Sequence, residues 1–309
     1  MTNYGKTKKS LSQHSLAPSK KFGQNFLVHR HTAEAIVRAG CVDPEDIIVE
    51  VGVGLAALTI PLAAAARHVY GIEIDSGIIR FHQEEKDLPA NVSLLHQDIL
   101  KADLPALAAL CGGKLKIIAN LPYSISNPFI FKLIDHYAFV DRATIMLQKE
   151  VADRLTAKPG NKDYGIPSVL LQSCATIEKL MTLGPAEFHP RPKIDSVVIR
   201  IVFKQHRDTD DFPGQYRLFQ RIVRSAFSQR RKTILNTLSG AGVFSPEIAY
   251  DKAAIKELTE QTIKAAGFSP ELRPEVLSVN DFVTLAKEFG RRIEACSSNE
   301  PGGVRAILF

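Results

Sequence analysis

The sequence predicts an α/β fold with a doubly wound, mainly parallel sheet, followed by a small all-α domain. Three observations carry this. Ile47-Ile48-Val49-Glu50-Val51 is an apolar, β-branched run that ends directly in Gly52-Val53-Gly54. Such a run reads as a strand buried on both faces, as in a parallel sheet. A small-residue helical stretch, Leu55 to Ala66, then leads to a second apolar run, Val69 to Ile74, that carries Glu73. Together these make a βαβ unit. Beyond Lys204 the strand patterns stop, and Phe212 to Pro246 holds no acidic residue but an amphipathic pattern of period 3.6.

Composition sets the limits. The chain has 309 residues, enough for one large domain and a smaller one, and 45% are hydrophobic. Lys and Arg number 39 against 33 acids, a net charge of +6, which hints at a polyanionic partner. Cys41, Cys111, Cys174 and Cys296 form no Cys-x-x-Cys pair, which points to a reducing compartment and no zinc site. No apolar run is long enough to span a membrane, and the N-terminus does not read as a signal peptide. The expected location is cytoplasmic. Residues 1–20 carry Lys6, Lys8, Lys9 and Lys20 and read as a basic, flexible arm; 21–205 read as the catalytic domain, 206–292 as a small helical domain and 293–309 as a loose tail.

In chain order, Phe22-Gly23-Gln24-Asn25-Phe26-Leu27 interleaves aromatics with amides before a helix over Thr32–Ala39. Gly52 and Gly54 let the backbone turn sharply and let a ligand approach the main chain. The helix that follows aims its free N–H groups at that turn. Glu73, nineteen residues past Gly54, sits where a carboxylate accepts hydrogen bonds from both ribose hydroxyls. Gly52-x-Gly54-x-x-Ala57 also satisfies a loose dinucleotide pattern. Glu50 argues against a pyrophosphate, which it would repel. It suits a ligand with a cationic amino-acid end, such as S-adenosylmethionine (SAM). A tight turn in an ordinary α/β sheet is the other reading.

Val92 to His96 reads as a third strand with Asp98 just beyond its end, on the rim where α/β sheets bind ligands. Asp98 could face an adenine amino group or cap a turn. Lys114 to Ala119 reads as a fourth strand and ends in Asn120-Leu121-Pro122-Tyr123. An exocyclic adenine amine is a poor nucleophile because its lone pair is delocalised into the ring. The Asn120 side-chain oxygen and the Leu121 carbonyl can accept its two hydrogens; Pro122 stiffens the turn; Tyr123 offers a ring to the base. Ser126–Tyr137 and Arg142–Leu155 read as helix and strand–helix, and Val169–Ala175 as a buried run. Phe188 to Ser196 is a proline-stiffened loop before a strand over Val197–Ile201. Phe188 could clamp the second face of a base, with Arg191 and Lys193 on flanking phosphates. In the helical domain, Arg217, Arg221, Arg224, Arg230, Arg231 and Lys232 form a one-sign polar face, and Leu272–Phe289 reads as a final helix pair.

Taken together, these motifs resemble the ribosomal RNA adenine N6,N6-dimethyltransferases, above all the bacterial small-subunit (16S) group linked to kasugamycin resistance. The resemblance covers roughly residues 18–290. It rests on Phe22 through Leu27, Glu50 through Gly54, Asn120 through Tyr123, Met146-Leu147-Gln148-Lys149-Glu150, Phe188 through Ser196, Gln229 through Thr233 and Arg273 through Val279. Val53 stands where the family often has Pro, and Ala56 where it often has a third glycine. The family implies a Rossmann-like SAM domain with a mainly parallel seven-stranded sheet, then a small helical domain. It implies that Asn25, Leu27, Gly52, Gly54, Glu73, Asp98 and Asn120 line the SAM pocket, and that Asn120, Leu121, Pro122, Tyr123 and Phe188 handle the adenine. The substrate it implies is two adjacent adenosines in the loop of the 3′-terminal hairpin of 16S rRNA, within an immature small subunit. The enzyme would act as a monomer and without metal. RNA contacts would fall on Arg191, Lys193, Arg221, Arg224, Arg230, Arg231 and Lys232. Two relatives of the same fold offer other readings: the 23S rRNA dimethyltransferases of macrolide resistance, and a non-enzymatic mitochondrial transcription factor.

Overall fold

The computed structural model describes residues 24–209, 215–240, 242–244 and 251–298. The basic arm over 1–20, Phe22 and Gly23, and the tail beyond 298 lie outside these described residues.

Strands and helices alternate from the start. β1 (Phe26–Leu27) precedes α1 (Arg30–Ala39), β2 (Ile47–Val51), α2 (Thr59–Ala65), β3 (His68–Glu73), α3 (Ser76–Glu85), β4 (Val92–His96), α4 (Leu104–Leu110) and β5 (Leu115–Asn120). Then come α5 (Ser126–Asp135), β6 (Val140–Gln148), α6 (Lys149–Thr156), α7 (Ile166–Gln172), β7 (Ala175–Leu183), β8 (Phe188–His189) and β9 (Ser196–Phe203). Helices α8 (Gln215–Ala226), α9 (Ile234–Gly240), α10 (Lys252–Ala265) and α11 (Val279–Ser298) close the order.

Seven strands form one sheet in the order β4-β3-β2-β5-β6-β9-β7. The first five run parallel; β9 is inserted antiparallel between β6 and β7. The order reverses direction at β2, so the β2 and β5 carboxyl ends flank the crevice where such sheets bind ligands. At the opposite end, the buried Asp46 carboxylate pairs with Lys116 of β5 and Arg142 of β6, stitching three strands together. Burial alone would raise that carboxyl. The hydrogen bonds from Lys116 and the Asp43 N–H, with the charges of Arg142 and Lys116, hold it below its ordinary value. Leu27, Ile36, Ile48, Leu62, Ile118, Phe188 and Val198 share one core against the sheet. β1 and β8 pair as a separate ribbon, Leu27 opposite Phe188.

The chain divides into two compact units. One is 1–153 with 175–205; the other is 154–174 with 206–309. The second therefore takes in the excursion holding α7, which sequence order alone assigns to the sheet domain. In this second unit, α8 buries Leu218, Phe219, Ile222, Val223 and Ala226. Phe227 packs on Tyr164 and Phe282 at 6.1 and 5.7 Å between ring centroids.

The expected final helix pair over Leu272–Phe289 is instead a turn at Pro274–Val276 and one long helix, α11. That helix continues through 293, where the sequence predicts the start of a tail, and Ile293 is buried. Among the described residues, no helix is long and apolar enough to cross a membrane.

Candidate active site

The turn after β2 is built from close approaches. Gly52 has φ +83°, and a Cβ there would lie 2.9 Å from the Asn120 carbonyl oxygen. Gly54 has φ +53°, and its Cβ would press on the Phe26 ring at 3.0 Å. Only glycine fits either place without strain. Ala56 adopts φ +59° in the same turn, a left-handed conformation that side-chain-bearing residues rarely take.

A cavity of about 180 Å³ opens beyond these strand ends. Glu50, at its floor, is 0% exposed. Neither of its carboxyl oxygens has a hydrogen-bond partner, and neither does the Thr59 hydroxyl. Burial pushes the Glu50 carboxyl up to about 8; the neighbouring Thr59 hydroxyl opposes the rise and the Glu73 charge adds to it. An unpartnered buried carboxyl is costly on its own. A cation entering the cavity would relieve that cost. Glu73, 6% exposed, accepts from the backbone N–H groups of Gly54, Ile74 and Asp75 at 3.0, 2.9 and 3.0 Å. Three donors fix its carboxylate in one orientation. Asp98 accepts from the Leu100 N–H at 2.9 Å through Oδ1, a local turn bond that leaves Oδ2 for another partner.

Asn120 donates through Nδ2 to the Asn25 carbonyl at 3.2 Å, so its Oδ1 is the acceptor left over. The Tyr123 hydroxyl lies 2.7 Å from Ser196 Oγ. Burial raises the Tyr123 phenol, with the Ser196 hydrogen bond opposing it.

Asn25, Leu27, Gly52, Gly54, Glu73, Asp98, Asn120, Leu121 and Pro122 all line this one cavity. Tyr123 and Phe188 are not among its lining residues. Tyr123 is the next residue along; Phe188 is 2% exposed and packed in the core opposite Leu27. Arg191 and Lys193 are exposed on the loop after β8. Arg221, Arg224, Arg231 and Lys232 are exposed in the second unit. Arg230 is exposed too, but its guanidinium donates to the Lys162 and Tyr164 carbonyls at 2.6 Å each. Gln97, Ile99 and Leu100 also line the cavity, and sequence reasoning misses them. Their closeness to Asp98 is the one available signal.

The parallel sheet with an antiparallel inserted strand, and an acid-lined pocket at its switch point, define a Rossmann-like methyltransferase. The family described as "Ribosomal RNA adenine dimethylase" matches residues 17–264. The chain is 62% identical over 289 residues to the "Ribosomal RNA small subunit methyltransferase A" of Desulfotalea psychrophila, covering 94% of this chain and 97% of that protein. It is 38% identical to the protein of the same name from Magnetococcus marinus, over 93% and 97% of the two chains. Among solved structures it resembles a dimethyladenosine transferase from Plasmodium falciparum, with TM-score 0.72, 25% identity and coverage of 86% and 98%. The 23S rRNA methyltransferase ErmE shares the fold, with TM-score 0.61 and 20% identity. The chain belongs to the ribosomal RNA adenine dimethylase family and is an rRNA methyltransferase.

Proposed function

We propose that this enzyme transfers methyl groups from SAM to N6 of two adjacent adenosines in the loop of the 3′-terminal hairpin of 16S rRNA, giving N6,N6-dimethyladenosines during small-subunit biogenesis. The observation that carries the reading is that Glu50, Gly52, Gly54, Glu73 and Asp98 line the same cavity as Asn120-Leu121-Pro122. When bound, SAM supplies a methyl group on a positively charged sulfur, already activated for transfer without a metal.

The chain's own residues do the rest. Glu50 is the acceptor for the cofactor's ammonium group, which explains a buried carboxyl with no partner of its own. Glu73 takes the ribose hydroxyls, and Asp98 Oδ2 the adenine amino group. The carbonyl oxygens of Asn120 and Leu121 accept the two N6 hydrogens of the target. That turns the nitrogen lone pair out of conjugation and toward the methyl group. The Asn25 contact stops the Asn120 amide from flipping. Tyr123 stacks on one face of the flipped-out base. Phe188 reaches the other face only if the β1–β8 ribbon shifts, because its ring now sits in the core. Arg191 and Lys193 flank the entrance for phosphates, and the second unit's basic helix docks the folded RNA. The protein acts as a cytoplasmic monomer on the immature subunit.

Incubation with labelled SAM and immature small subunits, followed by mapping of the modified adenosines, tests the proposal. Methylation of naked 23S rRNA in place of the small-subunit hairpin would overturn the substrate assignment.

A further inference from the structure

His82 has no part in the chemistry above, yet it touches the cofactor turn. It lies on α3 with its side chain fully buried. Nε2 sits 2.8 Å from the Gly54 carbonyl oxygen, and Nδ1 2.7 Å from Asp87 Oδ1. Both partners are acceptors, so each contact is a hydrogen bond when the ring nitrogen facing it carries the hydrogen. The local fold builds this contact. α3 ends at Glu85, Lys86 takes the left-handed conformation at φ +50°, and the chain turns so that Asp87 reaches back to the ring.

Gly54 is the residue held in place by it. Its N–H donates to Glu73 Oε2 at 3.0 Å, and its carbonyl accepts from His82. The peptide groups on both sides of Gly54 are thereby fixed, one by a carboxylate that lines the cavity and one by a ring that does not. A continuous hydrogen-bonded line runs from Asp87 through His82 and Gly54 to Glu73.

We infer that His82, oriented by Asp87, is a positioning residue for the cofactor. It fixes the Gly54 peptide and through it the Glu73 carboxylate. This rests on the reading that the Gly52–Gly54 turn and Glu73 hold SAM. It adds a requirement from outside the pocket, because outer partners that orient a ligating group matter nearly as much as the group itself.

The test separates the ring's two nitrogens. A glutamine amide nitrogen falls near the place of Nε2, and an asparagine amide near Nδ1. Affinity for S-adenosylhomocysteine is measured by calorimetry on wild type, His82→Gln, His82→Asn and Asp87→Ala, with thermal melting of each. His82→Gln keeps the donor to Gly54 and should bind within about threefold of wild type. His82→Asn should bind about tenfold more weakly, the worth of one buried hydrogen bond. Asp87→Ala, at an exposed position, should weaken binding by about threefold and leave melting unchanged. Amide exchange at Gly54 should speed up in the Asn and Ala variants only.

Equal affinities for the Gln and Asn variants would overturn the inference, since a packing role does not distinguish them. Should both fail to fold, Asp87→Ala decides: wild-type affinity with unchanged Gly54 exchange overturns the inference as well. A wild-type protein that binds no S-adenosylhomocysteine would overturn the reading of the pocket itself.

Discussion

On the proposed reading, Glu50 sets stability against cofactor binding within one side chain. Its carboxyl in the folded, ligand-free chain titrates near 8, above its ordinary 4.5, because burial disfavours the charge. A group raised in this way stabilises the fold fully below pH 4.5 and loses that contribution as pH climbs toward 8. The ligand-free protein should lose roughly 1.4 kcal/mol per pH unit from this group across that window. Glu50→Gln should flatten the slope and melt higher at pH 8, yet bind SAM at least tenfold more weakly. Melting curves from pH 5 to 8.5 check the first part and calorimetry the second; parallel slopes for the two proteins would show that Glu50 is not the titrating group. Asn120→Ala should fold and bind SAM but lose about a hundredfold or more in turnover, the usual effect of removing one preorganised polar contact from a transition state. Single-turnover methylation of small subunits measures it, and near-normal rates would make Asn120 structural. These residues were legible because each sits at the carboxyl end of a strand in a short local motif. Ser196, Thr59 and His82 were not. Ser196 and His82 meet Tyr123 and Gly54, Thr59 lies beside Glu50, and only the folded sheet brings those pairs together.

Among the elements, the glycine turn depends on a residue in the neighbouring strand. Gly71 of β3 lies under Val53, and a Cβ there would fall 2.6 Å from Val53 Cγ2 and 3.2 Å from Leu94 Cδ2. Val53 is β-branched and stiff, so it cannot swing aside. Gly71→Ala should therefore destabilise the protein by about 1–3 kcal/mol through overpacking. Chemical denaturation reads this directly, and an unchanged midpoint would mean the turn yields more easily than this packing allows. The parallel strands were legible because burial on both faces makes them continuous apolar runs. β7 was not: it is an edge strand whose Thr176, Glu178, Lys179 and Thr182 are exposed, and those residues break the apolar signal. Nor could the apolar stretch Val169-Leu170-Leu171 be assigned, since a run that short fits a helix or a strand; it belongs to α7. α10 escaped notice because its two faces differ little in polarity, and only Thr259, Thr262 and Ile263 are buried.

For the whole molecule, the question is how one adenine pocket finds its site among thousands of adenosines. On the proposed reading the cavity holds a single base, so the choice has to come from a larger RNA surface, read by shape and phosphates. The second unit offers a suitable face. Arg217, Arg221 and Arg224 are exposed along α8 while its apolar side is buried, and Arg231 and Lys232 follow. Arg230 belongs to this run in sequence, but it also ties down the Lys162–Tyr164 loop, so replacing it would confuse RNA binding with folding. The clean variant is Arg217, Arg221 and Arg231 to Ala together. It should keep wild-type affinity for SAM and wild-type melting. Binding to the immature small subunit should weaken, and the log–log salt dependence should flatten by about one unit for each phosphate that the variant no longer neutralises. The fall in affinity should be similar on RNAs of unrelated sequence, because binding to phosphates carries no base information. Filter binding across a salt series measures both quantities. If affinity and slope both match wild type, the helix is a solvated face, and docking belongs to Arg191, Lys193 and the lysine-rich N-terminal segment instead.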